Sequence, residues 1–123
     1  RSELAVAAIK CSDLILIPVQ PSPYDVWACD DLVDVIKARQ EIMEGKPKAA
    51  FVISRAIKNT NLSKEISEAL EGYGLPVFKS FTSQKIIYAK SAAVGSTVLD
   101  IEKGNNAGKE IISIKNEILE FLK

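Results

Sequence analysis

Residues 14–19, LILIPV, constrain this chain more than any other stretch. Leu14, Ile15, Leu16, Ile17 and Val19 form an apolar run without alternation. A strand of that kind has to be covered on both faces, the condition inside a parallel α/β sheet. Pro21, Ser22 and Pro23 follow at once. They stop the pairing and hold the chain extended or turned. Asp25 then opens a long amphipathic segment. A buried strand, a stiff loop at its carboxyl end and a helix leaving that loop is the arrangement in which α/β domains place ligands.

The remaining pattern repeats this unit. Ser2 is expected to cap a short helix that carries Glu3 in its first turn. Over residues 25–44, Val26, Cys29, Val33, Ile36 and Met43 recur at helical spacing, opposite Asp31, Asp34, Lys37 and Glu41. Gly45 and Pro47 predict the stop: a left-handed cap, then a residue unable to continue. Residues 48–55, KAAFVISR, read as a second strand. Thr60 or Asn61 is then expected to cap a helix through Leu62, Ile66, Ala69 and Leu70. Residues 76–81 read as a third strand, and Thr82-Ser83-Gln84 begins a helix through Tyr88 and Ala92. After Gly95 a polar loop follows, with Val98, Leu99 and Ile101 pinning it to the core. The last helix, residues 107–122, sets Ile111, Ile114, Ile118 and Leu122 on one side. Alternating helices and strands predict a single α/β domain, a parallel, doubly wound sheet with helices on both faces. Three strands are few for so much helix, which predicts that further strands precede them.

Composition narrows the function classes. Sixteen basic residues balance sixteen acidic ones, so no global field favours nucleic acid or membrane. With no histidine in the chain, histidine triads, Cys/His zinc sites and imidazole shuttles are excluded. Cys11 and Cys29 lie in half-apolar, helix-rich surroundings and are expected to be reduced and buried, as in a cytoplasmic protein. No apolar run reaches spanning length and no secretory signal stands at the start. The chain begins Arg1-Ser2-Glu3 and its one methionine is Met43, which predicts the later part of a longer protein. Trp27, Phe51, Phe78 and Phe121 are expected in the core. Asp30 and Asp31, adjacent on a helix, diverge and read as solvated rather than as a metal pair.

Several pieces together resemble the ParA group of partition ATPases, in the deviant Walker class that also includes MinD. They are Ser12-Asp13 before the apolar strand, PVQPSPYD, the FVISR strand, SFTSQKIIYAKS, GSTVLD, and a terminal helix with Ala107, Glu110, Glu117 and Ile118. The resemblance covers essentially all of this chain but the later part of such a protein. It implies a P-loop NTPase-like fold that is incomplete here. The family's KGGxGKT loop, which cradles phosphates with backbone N–H groups, has no counterpart in this sequence. Nor does the acidic residue that would organise Mg²⁺. The chain is therefore expected not to hydrolyse ATP alone.

The resemblance also implies roles residue by residue. Pro21, Arg55, Thr82 and Ser83 would line the adenine pocket of an ATP·Mg²⁺ site, with an N–H and C=O pair at Thr82 and Ser83 reading the base edge. Gln20, Pro21, Ser22, Pro23 and Asp25 would lie where two subunits close over ATP. Lys79, Lys85 and Lys90 would bind DNA without sequence preference. Partners would be a second copy, DNA and a ParB-like protein. A MinD-like positioner or a cobyrinate-synthase-like amide ligase shares the superfamily. The mixed charge of Lys109, Glu110, Lys115, Glu117 and Glu120 argues against a membrane-anchoring helix. A non-catalytic α/β interaction module is the alternative from another class; a receiver would need acidic residues where Gln20 and Ser22 stand.

Overall fold

A computed structural model describes residues 3–57, 61–101 and 106–123. The order is α1 (Glu3–Cys11), β1 (Leu14–Val19), α2 (Pro23–Trp27), α3 (Asp30–Ile42), β2 (Lys48–Ile53), α4 (Asn61–Glu71), α5 (Ile86–Ala93), α6 (Val98–Ile101) and α7 (Asn106–Phe121). The expected caps Ser2 and Thr60 lie outside the described residues.

β1 and β2 run parallel, in register from Leu14 opposite Lys48 to Val19 opposite Ile53. Alternate residues of a strand point to opposite faces, and each set here finds its own core. Ile15, Ile17, Val19, Ala49, Phe51 and Ile53 pack with Ile9, Val26, Val33, Ile36, Ile66 and Leu70 from α1 to α4. Leu16, Ala50 and Val52 pack with Phe78 and with Ile114, Ile118 and Phe121 of α7. The fold is thus α/β, a small parallel sheet flanked by helices on both faces.

The expected third strand is present only as an irregular neighbour of β2. Residues 76–84 run parallel to it through bridges between Phe51 and Val77 and between Ala56 and Ser83. The Phe78 N–H donates to Phe51 O at 2.8 Å, and the next bond to β2 comes from the Thr82 N–H to Ile53 O at 3.1 Å. Four steps of this segment therefore face two of β2, and Lys79, Ser80 and Phe81 bulge away. α7 makes that bulge tolerable. Glu117 accepts from the Lys79 and Ser80 N–H groups at 2.8 Å each, so these donors are satisfied without another strand.

The expected helix over 25–44 is two helices. Ser22 caps α2, its Oγ accepting from the Tyr24 N–H at 3.3 Å, with Pro23 in the first turn. The Cys29 N–H closes a tight turn on Val26 O before α3 begins. Val26 and Cys29 face the core, while Trp27, one residue round the helix from Val26, is 62% exposed. The core expectation fails for Trp27 and holds for Phe51 and Phe78; Phe121 is half-buried, edge-on to Phe78 at 5.5 Å. Met43 and Cys11 are exposed rather than buried, as are Leu99 and Ile101, and Val98 alone of its trio is buried. The stop after α3 forms as the sequence predicts. Gly45 takes φ +87° and its N–H donates to Gln40 O at 2.7 Å.

Candidate functional site

The carboxyl ends of β1, β2 and the third segment come together. After β1 the loop folds on itself. The Gln20 N–H donates to Asp25 Oδ2 at 3.0 Å and the Ser22 N–H to Gln20 O at 2.7 Å. The Ser54 N–H donates to Val19 O at 2.9 Å, which sets Gln20 and Pro21 beside the exit of β2. There Arg55 is exposed and left-handed, with φ +55°, and its N–H donates to Thr82 Oγ1 at 3.3 Å. A non-glycine residue adopts that conformation at a cost of roughly 1–2 kcal/mol. Pro21, Arg55 and Thr82 thus share one end of the sheet.

Ser83 is placed differently from the expectation. It is buried, its N–H donates to Glu110 Oε1 at 3.0 Å and its hydroxyl to Glu110 Oε2 at 2.5 Å. Thr82 commits its N–H to Ile53 O and its carbonyl to the Ala56 N–H. An N–H donor for a base edge is therefore engaged at both residues. At this end Arg55, Gln20 and Pro23 are exposed and Pro21 is half-exposed.

In the sequence Glu110 and Glu117 stand out as parts of a mixed-charge helix and of the ParA-like terminal pattern, with no partner assigned to either. The structure makes them the fastening of α7. Glu110 also accepts from the Tyr88 hydroxyl at 2.6 Å. Burial pushes its pKa up, but the Ser83 and Tyr88 hydroxyls, the Ser83 N–H and nearby Lys85 together hold it below the ordinary value. Burial likewise opposes the Ser80 and Lys79 N–H groups at Glu117, and the outcome is again downward. The Tyr88 hydroxyl is pushed up by burial and by Glu110. A signal was available: Glu110, Ile114, Glu117 and Phe121 fall on one helical side, so acidic groups recur on the apolar face.

The three lysines divide between two cavities. Lys79 lines one of about 440 Å³ with Phe81, Lys109 and Glu110. Lys85 and Lys90 line one of about 640 Å³ with Ile86, Ile87 and Ile101. Asn106 borders both. Lys79 and Lys85 each lie near a carboxylate, Glu117 and Glu110, which offsets part of their charge. On the opposite face, Tyr73 fixes the turn between α2 and α3. Its hydroxyl meets the Asp30 carboxylate and lies 3.0 Å from Val26 O. That hydrogen bond, with burial, pushes its pKa up to about 12. Burial, then Asp25 and Asp30, push the Cys29 thiol up as well. Among the described residues no group of three Cys, Asp or Glu side chains could hold a metal ion, and no helix is long and apolar enough to cross a membrane.

Comparison with known proteins gives the site a context. No family model matches the chain. Over 112 residues it is 30% identical to the maintenance of carboxysome distribution protein A of Halothiobacillus neapolitanus (strain ATCC 23641 / c2). The match takes in 90% of this chain and 51% of that protein, so the chain spans about half the length of the curated relative it matches. This homology is consistent with a ParA/MinD-type ATPase, the class that the sequence motifs resemble.

Proposed function

We propose that this chain is the base-pocket and partner-facing part of a ParA/MinD-type ATPase that distributes a cargo within the cell. The observation that carries this reading is the 112-residue match to a carboxysome distribution protein. Convergence of Pro21, Arg55 and Thr82 at one end of the sheet supports it. The parent binds ATP·Mg²⁺, dimerises across Gln20, Pro21, Ser22, Pro23 and Asp25, and binds DNA through Lys79, Lys85 and Lys90. A ParB-like partner stimulates hydrolysis and release. The phosphates and Mg²⁺ are held by parts of the parent that this chain does not contain, so the chain alone does not hydrolyse ATP. Arg55 and Pro21 contact the base, and Ser83 acts indirectly by fixing Glu110 and α7. The cargo is a plasmid or chromosome in the partition reading. The name of the relative favours a second reading, a large protein assembly as cargo.

Equilibrium binding of a fluorescent ATP analogue to the full-length parent tests the base pocket. Arg55→Ala weakens binding by roughly tenfold, about 1.4 kcal/mol, and leaves the fold intact because the side chain is exposed. Equal affinity for parent and variant would refute the assignment. DNA binding is tested by its salt dependence. Replacing Lys79, Lys85 and Lys90 with Glu lowers the slope of log K against log salt by about 2–3. An unchanged slope moves the contact elsewhere.

A further inference from the structure

At the amino ends of β1 and β2 a cavity of about 360 Å³ opens between the last turns of α1 and α3 and the end of α7. That volume is at the low end of ligand pockets, about 300–1,000 Å³. Met43, Pro47 and Leu122 give it an apolar lining. Lys10, Arg39, Lys46 and Lys48 bring four cations against one carboxylate, Asp13. Lys48 is already committed: its Nζ donates to Phe121 O at 2.7 Å and lies 5.5 Å from the centre of the Phe121 ring. It ties the end of α7 to β2 and so fixes one wall. The other cations are unengaged. Among the described residues the ion pair is Lys123 with Glu120, and no side-chain hydrogen bond holds Lys10, Arg39 or Lys46.

Helix dipoles account for only part of this charge. Lys10 and Arg39 stand in the last turns of α1 and α3, where a cation is favoured. Lys46 belongs to no helix, and Arg39 is half-buried without a counter-ion. A charge partly withdrawn from water costs free energy until an anion meets it. Glu41 and Glu44 are exposed and do not line the cavity. We propose that this cavity binds an acidic peptide segment of a partner protein, in which Asp or Glu flanks a large apolar residue. The apolar side chain rests on Met43, Pro47 and Leu122, while the carboxylates meet Lys10, Lys46 and the planar fork of Arg39. Duplex DNA is disfavoured because its phosphates would leave the apolar lining without a partner. A two-fold contact with a second copy would set the same cations against each other. Pro21 and Arg55 lie at the far ends of the six-residue strands, about 20 Å away. The inference therefore does not rest on the nucleotide reading, and a peptide here leaves the other end of the sheet free.

Fluorescence anisotropy on the nucleotide-free, full-length parent tests it. The probe is a fluorescein-labelled peptide of Asp around a central Leu, with one twin carrying Lys for Asp and another carrying Ser for Leu. The Asp–Leu peptide binds saturably, the Lys twin does not, and the Ser twin binds about tenfold more weakly. Arg39→Gln and the double variant Lys10→Gln/Lys46→Gln each weaken binding by about tenfold. Lys64→Gln removes the same charge from α4, away from the cavity, and leaves affinity unchanged. Circular dichroism melts confirm that each variant is folded. Lys10 and Lys46 are exposed, so the double variant decides the matter if Arg39→Gln does not fold. Absence of saturable binding, equal affinity across the variants, or equal binding of either twin overturns the proposal. So does duplex DNA binding, or self-association in sedimentation, that the double variant abolishes while the Asp–Leu peptide fails to bind.

Discussion

Phe51→Ala is expected to lower the free energy of unfolding by about 3–5 kcal/mol. Phe51 has no exposed surface and sits mid-strand in β2, under α4 and beside the Tyr73 ring at 6.0 Å. Its backbone also seats the third segment, with its N–H donating to Pro76 O at 2.9 Å and its carbonyl accepting from the Phe78 N–H. Removing the ring leaves a cavity that two parallel backbones cannot close without shifting these bonds. A domain is stable by about 5–15 kcal/mol in all, so the loss is a large share. Urea unfolding of the variant reads it directly. A change below about 1 kcal/mol would mean that the ring is not the centre of this core.

Replacing Glu110 is expected to alter how stability depends on pH, more than stability at one pH. Three hydrogen bonds, from the Ser83 N–H, the Ser83 hydroxyl and the Tyr88 hydroxyl, favour its ionised form in the fold. Its pKa is therefore lower folded than unfolded. The stability it contributes is present above the ordinary glutamate value and is lost as pH falls through the folded value. Glu117 acts in the same direction. Between about pH 5 and pH 3 the wild type should lose stability faster than Glu110→Gln/Glu117→Gln. Near neutrality Glu110→Ala should be the worse variant, because each buried donor left without an acceptor costs about 1–3 kcal/mol. Thermal melts at both ends of the range decide the matter. Parallel pH profiles for wild type and double variant would show that the carboxylates do not fasten α7.

What could be read from the sequence follows from which interactions are local. The unbroken apolar runs of β1 and β2 and the stop at Gly45 depend on neighbours within a few residues, and they appear as expected. Trp27 was misjudged on residue type alone: Val26 and Cys29 take the core-facing side, and helical spacing already sets Trp27 off that side. The third strand was legible as an apolar segment but not as a bulged one. Its outer hydrogen bonds go to Glu117, distant in sequence, and composition carries no trace of that pairing. The position of Arg55 at a strand end was legible; its left-handed backbone and its bond to Thr82 were not. For Ser83, the hydroxyl that suggested a pocket wall turns inward to donate to the half-buried Glu110 carboxylate on α7.

The loop after β1 closes on its own side chains, Asp25 holding the Gln20 N–H and Ser22 holding that of Tyr24. Its shape is set before anything arrives. A molecule that docks there meets a surface with no ordering step of its own, so association should proceed without a slow conformational phase. Differences in affinity between ligands at this end of the sheet should then reside in how long each one stays.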